Sequence, residues 1–454
     1  MSRSFAARRL CSAHSLLLSV TLGLGACSND SDHTAASNPN PDGPPITGVT
    51  EARSSLAREL HPDVSQDTLY ALTDGQAAFA LDLFAQLNTQ PGNLFYSPLS
   101  IHQALTMAFA GASGDTAAEM AAVLHIGGFG NGGADAHPAE NVLDLSLSHL
   151  GDPVVLEGDP GAGGDPLSFE VANSMWGSPA LAWEQPFLDT LAVNYSAGLK
   201  LTDFTADPEA ARGAINHWVS QKTNERIPEL LGQGTIDAMT RLVLVNAIFF
   251  KGSWAEKFEE TATKVESFTL PGDGHVDVPM MHAFSETQYA AGEGYQAATI
   301  PYVGGRTSML LIVPEDMETF ESTFDAGEYA ALLGRMGQRE VDLALPKFEF
   351  KFGASLSQPL QALGMAKAFS GDADFSALTH DETLSISDVV HQAFVKVDES
   401  GTEAAAATAV VFAGTAAPVD PPAVVHADRP FIFLIRDEQT QAILFVGRVE
   451  NPAE

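Results

Sequence analysis

The sequence predicts an α+β protein in which helices pack around large, mainly antiparallel sheets. Three observations carry that expectation. Helical signals crowd the first half of the chain and strand signals the second. The chain closes with an apolar β-hairpin, Pro430 to Val449, whose strands meet across the polar turn Asp437 to Thr440. Just before it lies a loop of 28 residues, Thr402 to Arg429, a length that compact domains keep for function or leave disordered.

Taken in order, the regular pattern begins with Phe79, Leu83 and Leu87, which share one helical face. Ser97 followed by Pro98 marks a second helix start, because proline fits the first helical position. Its expected buried stripe is Ile101, Leu105, Ala108 and Phe109, and Gly111 stops it. Thr116 and Glu119 are spaced as a capping box for a third helix. The Gly-rich run Gly127 to Gly133 follows a helix rather than a strand, so it reads as a surface loop and not a phosphate cradle. Leu167 to Trp176 alternates as a strand, and Pro208 to Leu231 is amphipathic, with Ile215, Trp218 and Val219 on one face.

Arg241 to Trp254 starts with a solid apolar run, too short for a membrane span, and reads as a central strand buried on both faces. Asn246 sits inside it. A buried amide left unpaired costs about 1–3 kcal/mol, so it needs a partner, for which His or Ser is suited. Thr307 to Pro314 and Val341 to Phe350 read as strands, Leu356 to Leu363 as a helix. Ser387 to Asp398 is a strand that leads straight into the long loop.

Composition sets outer limits. The 454 residues are 45% hydrophobic and carry a formal charge of −35. That acidity argues against nucleic acid and against adhesion to anionic lipid. The only cysteines are Cys11 and Cys27, so the folded part is expected to hold no disulfide and no Cys-ligated metal. Arg3, Arg8 and Arg9 precede the apolar run Leu16 to Gly25, as in an export signal. Leu24, Gly25, Ala26 and Cys27 resemble a bacterial lipoprotein box, which implies lipidation of Cys27; a plain secretory signal or an uncleaved anchor is the alternative. Ser28 in place of an aspartate points to the outer membrane or cell surface. The resulting division is a signal at 1–27, a polar tether at 28–66 and a folded domain at 67–454.

The stretch Glu399 to Phe431 organises the rest. Read as a strand, Glu403 stays in water while Thr402, Ala404, Ala406, Thr408, Val410 and Phe412 share the opposite face, and all six can be buried. The competing reading is a low-complexity Ala tract in a surface linker.

From about Thr68 to Pro452 the chain resembles the serpins, serine protease inhibitors of the conformational-trap kind. The resemblance rests on NLFYSPLSI, GASGDT, INHWVSQKT, LVNAIFFKGSW, LPKFEF, VVHQAFVKVDESGTEAAAATAV and RPFIFLIRDEQTQAILFVGRVENP, which occur in that order. It implies the serpin fold and a reactive-centre loop at about 399–429. Ser97, Ser100, Asn246 and His391 match the family's shutter, with Asn246 and His391 bonding across strands that must part. Trp254, Lys347 and Glu399 match the breach, where insertion begins. Gly401, Thr402, Glu403, Ala404, Ala405, Ala406, Ala407 and Thr408 match the hinge.

The resemblance implies an inhibitor rather than an enzyme, working as a suicide substrate. A protease cuts the loop, an acyl-enzyme forms, and the freed arm inserts as a strand. Counted with Glu399 as the first, the seventeenth residue places the scissile bond at Thr415–Ala416. Thr before the cut suits elastase-like or subtilisin-like enzymes. A trypsin-like target is disfavoured, because no Lys or Arg lies between Lys396 and Arg429; Phe412 suits a chymotrypsin-like enzyme, and Ala413 or Ala416 another elastase-like one. The expected partner is a serine protease, with a cysteine protease as the alternative, held covalently by a monomer. No cofactor or metal is expected, and membrane contact only through lipid on Cys27. Two other functions compete. A non-inhibitory binding protein on the same fold would be cleaved without trapping. A hydrolase would need a GxSxG or HExxH pattern, which the sequence lacks.

Overall fold

A computed structural model describes residues 46–150, 167–402 and 421–454, all within the unit Pro44–Glu454. Its first regular element, strand β1 (Thr50–Ala52), falls inside the segment 28–66 expected as a tether. Residues 50–52 pair antiparallel with 199–201. The Ser54 hydroxyl donates to Asp189 Oδ1 at 2.6 Å, and Arg58 donates to Asn141 Oδ1 at 2.7 Å and Asp144 Oδ2 at 2.6 Å. The tether expectation is therefore corrected within residues 46–66: residues 50–52 are paired, and Ser54 and Arg58 have fixed partners on the domain, which polar composition alone does not reveal.

Helix α1 (Gln66–Leu87) starts on Ser65, whose side chain accepts from the Thr68 N–H. Strand β2 (Leu94–Tyr96) leads to α2 (Pro98–Phe109), where Ser97 is the N-cap and Pro98 takes the first turn. All twelve residues of α2 are buried rather than only the expected stripe, because its polar face, Ser100, His102, Gln103 and Thr106, finds hydrogen-bond partners inside the protein. Next come α3 (Gly114–Val123) and α4 (Ala136–Leu147). The expected Thr116–Glu119 capping box is absent from α3, which has no side-chain cap. Thr116 Oγ1 instead accepts from the Asp374 N–H at 2.9 Å, and Glu119 Oε2 from the Lys367 N–H at 2.8 Å. Both polar groups serve tertiary contacts to a distant segment, which local spacing cannot disclose.

The chain continues through β3 (Ser168–Gly177), α5 (Gln185–Tyr195), β4 (Leu199–Leu201), α6 (Pro208–Lys222) and β5 (Leu242–Ser253). Then follow β6 (Lys264–Thr269), β7 (His275–Gly292), β8 (Tyr295–Pro301), β9 (Thr307–Pro314), α7 (Met317–Glu321), α8 (Ala326–Arg335), β10 (Gly337–Pro346) and β11 (Phe348–Ser355). The last elements are α9 (Ser357–Ala362), β12 (Asp388–Asp398), β13 (Gly401–Thr402), β14 (Ala423–His426), β15 (Phe431–Asp437) and β16 (Ile443–Val449). Residues 341–350, expected as one strand, are two, β10 and β11, in different sheets with Lys347 at the corner.

The main sheet has the order β1-β4-β3-β5-β13-β12-β11; the second runs β14-β10-β7-β8-β9-β15-β16-β2, with β6 on β7. Strand β5 explains its own apolar run. Leu242, Leu244, Ile248 and Phe250 enter the large core. Val243, Val245 and Ala247 enter a second core with Trp176 and the α6 residues Ile215, Trp218 and Val219. Both faces are covered, so the sequence does not alternate. Among the described residues no helix is long and apolar enough to cross a membrane.

Candidate functional site

The centre of the main sheet is paired in two different ways along its length. In its lower part β5 and β12 run parallel and bond directly, from Asp388 opposite Val243 to Ala393 opposite Ile248. In its upper part β13 lies between them. Thr402 and Gly401 pair antiparallel with Val397 and Asp398 on one side, and with Gly252 and Ser253 on the other. The chain leaves β12, turns at Glu399 and Ser400, and comes back as the tip of a new strand.

Gly401 makes this return possible. Its φ is 152°, and a Cβ there would stand 2.1 Å from the Gly252 carbonyl oxygen. The next residue, Thr402, is 2% exposed and its Oγ1 meets Tyr302 Oη at 2.8 Å. Burial pushes the Tyr302 phenol above its ordinary range, against the opposing effect of that hydrogen bond. Trp254 stacks on Tyr302 with centroids 4.6 Å apart. The Trp254 indole N–H donates to the Asp398 carbonyl at 3.0 Å, and its backbone N–H to the Ser400 carbonyl at 3.0 Å. The Phe258 N–H donates to the Glu399 carbonyl at 3.0 Å. The turn is thus held by two backbone N–H donors and by the Trp254 indole, which itself stacks on Tyr302.

At the corner between β10 and β11, Lys347 Nζ reaches Glu399 Oε2 at 2.7 Å, and Thr263 Oγ1 donates to Glu399 Oε1 at 2.8 Å. Burial pushes the Glu399 carboxyl up, but these bonds and the Lys347 charge outweigh it and hold it below the usual carboxylate range.

Below β13 lies a row of polar side chains straight across three strands. Asn173 on β3 is opposite Asn246 on β5, which is opposite His391 on β12. Ser97 and Ser100, at the start of α2, lie under this row. The Ser97 N–H donates to His391 Nε2 at 3.3 Å, which leaves Nδ1 to carry the proton and donate to Asn246 Oδ1 at 2.5 Å. Asn246 Nδ2 donates to Ser100 Oγ and to Asn173 Oδ1, the latter at 2.5 Å. Asn173 Nδ2 donates to the Ser100 carbonyl at 3.0 Å. Asn246 and His391 are both fully buried, and burial pushes the imidazole down to about 3. The row is neutral, satisfied, and spans the seam.

The structure therefore brings Ser97, Ser100, Asn246 and His391 together, and separately Trp254, Lys347, Glu399, Gly401 and Thr402. Cys27, the hinge residues Glu403 to Thr408, and the bond Thr415–Ala416 lie outside the described residues. Sequence reasoning missed Tyr302, Thr263 and Gly252, whose places come from packing alone. It also missed Arg339 on β10, whose Nη2 donates to the Pro421 carbonyl at 3.1 Å and secures the far end of the loop. Asn173 was recoverable in principle, because it is a polar residue on the inward parity of its strand. Among the described residues no cluster of three or more His, Cys, Asp or Glu side chains is arranged to hold a metal.

Comparison with known proteins agrees with this geometry. Residues 74–452 match the family model Serpin (serine protease inhibitor). An uncharacterized serpin-like protein of Thermococcus kodakarensis is 35% identical over 421 residues, covering 92% of this chain and 94% of that protein. The leukocyte elastase inhibitor of Bos taurus is 36% identical over 394 residues, covering 84% and 99%. The crystal structure of tengpin, a thermophilic serpin in the native state, superposes with a TM-score of 0.74 at 27% identity, covering 88% of this chain and 97% of tengpin.

Proposed function

The chain belongs to the serpin family of serine protease inhibitors, and on that premise we propose that it is a suicide-substrate inhibitor of a serine protease with a small specificity pocket. The observation that carries the reading is β13: two residues of the hinge already occupy the gap between β5 and β12, while the seam beneath them is still closed.

The registers on the two sides agree with a longer insertion. Thr402 lies opposite Gly252 and Val397. Continued downward, the same antiparallel register sets Ala404 beside Phe250, Ala406 beside Ile248, Val410 beside Leu244 and Phe412 beside Leu242, all on the large-core face. Glu403 comes between Lys251 and Lys396. Thr408 comes between Asn246 and His391, where its hydroxyl takes over the bonds that parting the strands would break. From Thr402 to Thr415 is 14 residues, roughly 46 Å of strand, which carries the cut end past the far edge of the sheet.

The mechanism follows. The target protease attacks the carbonyl of Thr415, Ala416 departs as the new amine terminus, and an acyl-enzyme ester links the protease to Thr415. The freed arm, small and uncharged after Glu403 as far as Phe412, enters the seam from β13 downward and draws the protease along. Deacylation must lose that race. The uncut protein is then a kinetically held state. Lipidation at Cys27 would station it, as a monomer, at the outer membrane or cell surface, and radiolabelled fatty acid incorporated in wild type but not in Cys27→Ala tests that location.

Incubation with elastase-like and subtilisin-like proteases tests the function. We expect an SDS-stable adduct, Thr415 at the junction by mass spectrometry, and a large rise in melting temperature of the cut protein. Cleavage without adduct or rise would favour the non-inhibitory binding protein instead.

A further inference from the structure

Two histidines share one transverse row of the second sheet. His282 on β7 and His426 on β14 both lie opposite Ala344 on β10, and residues opposed across a ladder point to the same face. Only the Ala344 methyl stands between the two imidazoles. Their ring centres are 6.1 Å apart and their planes cross at 88°. The two side chains are 25% and 35% exposed, so solutes reach both from solvent.

Each ring is oriented by a carboxylate. His282 Nε2 lies 3.0 Å from Glu266 Oε1 on β6, and His426 Nε2 lies 3.3 Å from Asp342 Oδ1 on β10. An ionised carboxylate only accepts, so both Nε2 atoms carry a proton and donate. In the neutral ring that leaves a lone pair on each Nδ1. A carboxylate behind the imidazole is the arrangement that fixes the tautomer and raises the basicity of metal-binding histidines. Zinc–nitrogen bonds of about 2.0–2.1 Å put an ion roughly 3 Å from a ring centre, so two imidazoles on one ion stand about 5–6 Å apart. The observed spacing lies at the wide end of that span, within reach of a side-chain rotation. The formal charge of −35 favours the approach of any cation.

We propose that His282 and His426 bind a divalent transition-metal ion of the zinc class through their Nδ1 atoms, with Glu266 and Asp342 as the carboxylates behind them. Imidazole suits such ions, whereas magnesium and calcium take oxygen ligands. Two protein ligands leave the other positions of the ion to water or to a donor from another molecule, in keeping with the lack of any three-residue cluster among the described residues. The four residues come from four different strands, so no spacing motif announces them. A bound ion ties β14, the strand that follows the long loop, across β10 to β7. The proposal stands apart from the inhibitor reading, and its failure leaves that reading untouched.

The test titrates zinc chloride into the full chain, stripped of metal by a chelator, and follows the heat of binding near neutral pH. His282→Ala and His426→Ala are each expected to lower the affinity at least about tenfold, and Glu266→Gln combined with Asp342→Asn about 10–100-fold. Zinc at a hundredfold excess over its dissociation constant should raise the wild-type melting temperature by about 3 °C and leave that of the double variant His282→Ala/His426→Ala unmoved. A readout that needs no variant is proton competition: wild-type affinity should fall as the solution is acidified, because the ion binds only the neutral imidazole. No saturable uptake by wild type overturns the proposal. So does equal uptake by the double variant, which would assign the ion to other side chains, and so does an affinity that ignores pH.

Discussion

His391 Nδ1 and Asn246 Oδ1 stand 2.5 Å apart across the parallel pairing of β12 with β5. This side-chain bond adds to the backbone ladder between the two strands that the proposed insertion would separate. It is also the point where the proposed register would deliver Thr408.

The charge state of that bond sets a pH dependence. Burial pushes His391 down to about 3 and His137 down to about 4, against about 6.5 in an unfolded chain. The unfolded chain therefore binds more protons below about pH 6.5. Stability from both groups is complete above that pH and is lost as pH falls toward the folded values, by up to about 1.4 kcal/mol per unit for each imidazole. Denaturant titrations between about pH 6.5 and 5, above most carboxylate titration, should show the decline, and His391→Gln should reduce its slope. A flat profile would contradict the buried neutral imidazoles.

Gly401→Ala should expel the hinge from the sheet. The added Cβ meets the Gly252 oxygen at 2.1 Å and the backbone conformation is one that alanine avoids. The expected loss is about 1–3 kcal/mol in thermal melts, together with loss of the Thr402 protection pattern in hydrogen exchange. Unchanged exchange at Thr402 would mean that β13 does not depend on this glycine.

Charge at the top of the seam should control trapping. Glu403→Lys would bring a cation between Lys251 and Lys396, and Thr402→Arg would force a guanidinium under Tyr302. Both variants should be cut as substrates, with the stoichiometry of inhibition rising several-fold and the SDS-stable adduct fading. Inhibition equal to wild type would exclude insertion in this register.

The Lys347–Glu399 pair should matter little to global stability. Lys347 is 37% exposed at its side chain, so solvent screens the interaction to about 0–1 kcal/mol. A double-mutant cycle with Lys347→Met and Glu399→Gln measures this coupling directly; a value above about 2 kcal/mol would show a far drier site.

Much of this arrangement was legible in residues 241–254 and 387–402. An unbroken apolar run declared β5 central, and a lone amide within it demanded a partner that His391 supplies. The alternation at Thr402 foretold its burial. What stayed hidden depends on residues far apart in the chain. Tyr302 contacts Thr402 across 100 positions, and nothing in its own neighbourhood advertises that role. Lys347 was read inside a strand because alternation continues through it, whereas the structure turns a corner there. The stretch 46–66 looked like a tether because its composition is polar, yet Ser54 and Arg58 spend that polarity on specific partners on α4 and α5.

The closed part of the seam has a further consequence. Its six directly opposed positions form a parallel ladder, the less stable kind per residue. An arm threaded between β5 and β12 replaces it with two antiparallel ladders, so nearly twice as many interstrand bonds exist afterwards. Nothing in the finished arrangement favours the return. On the proposed mechanism each molecule would act only once, and a cell relying on it would have to match enzyme with fresh protein one for one.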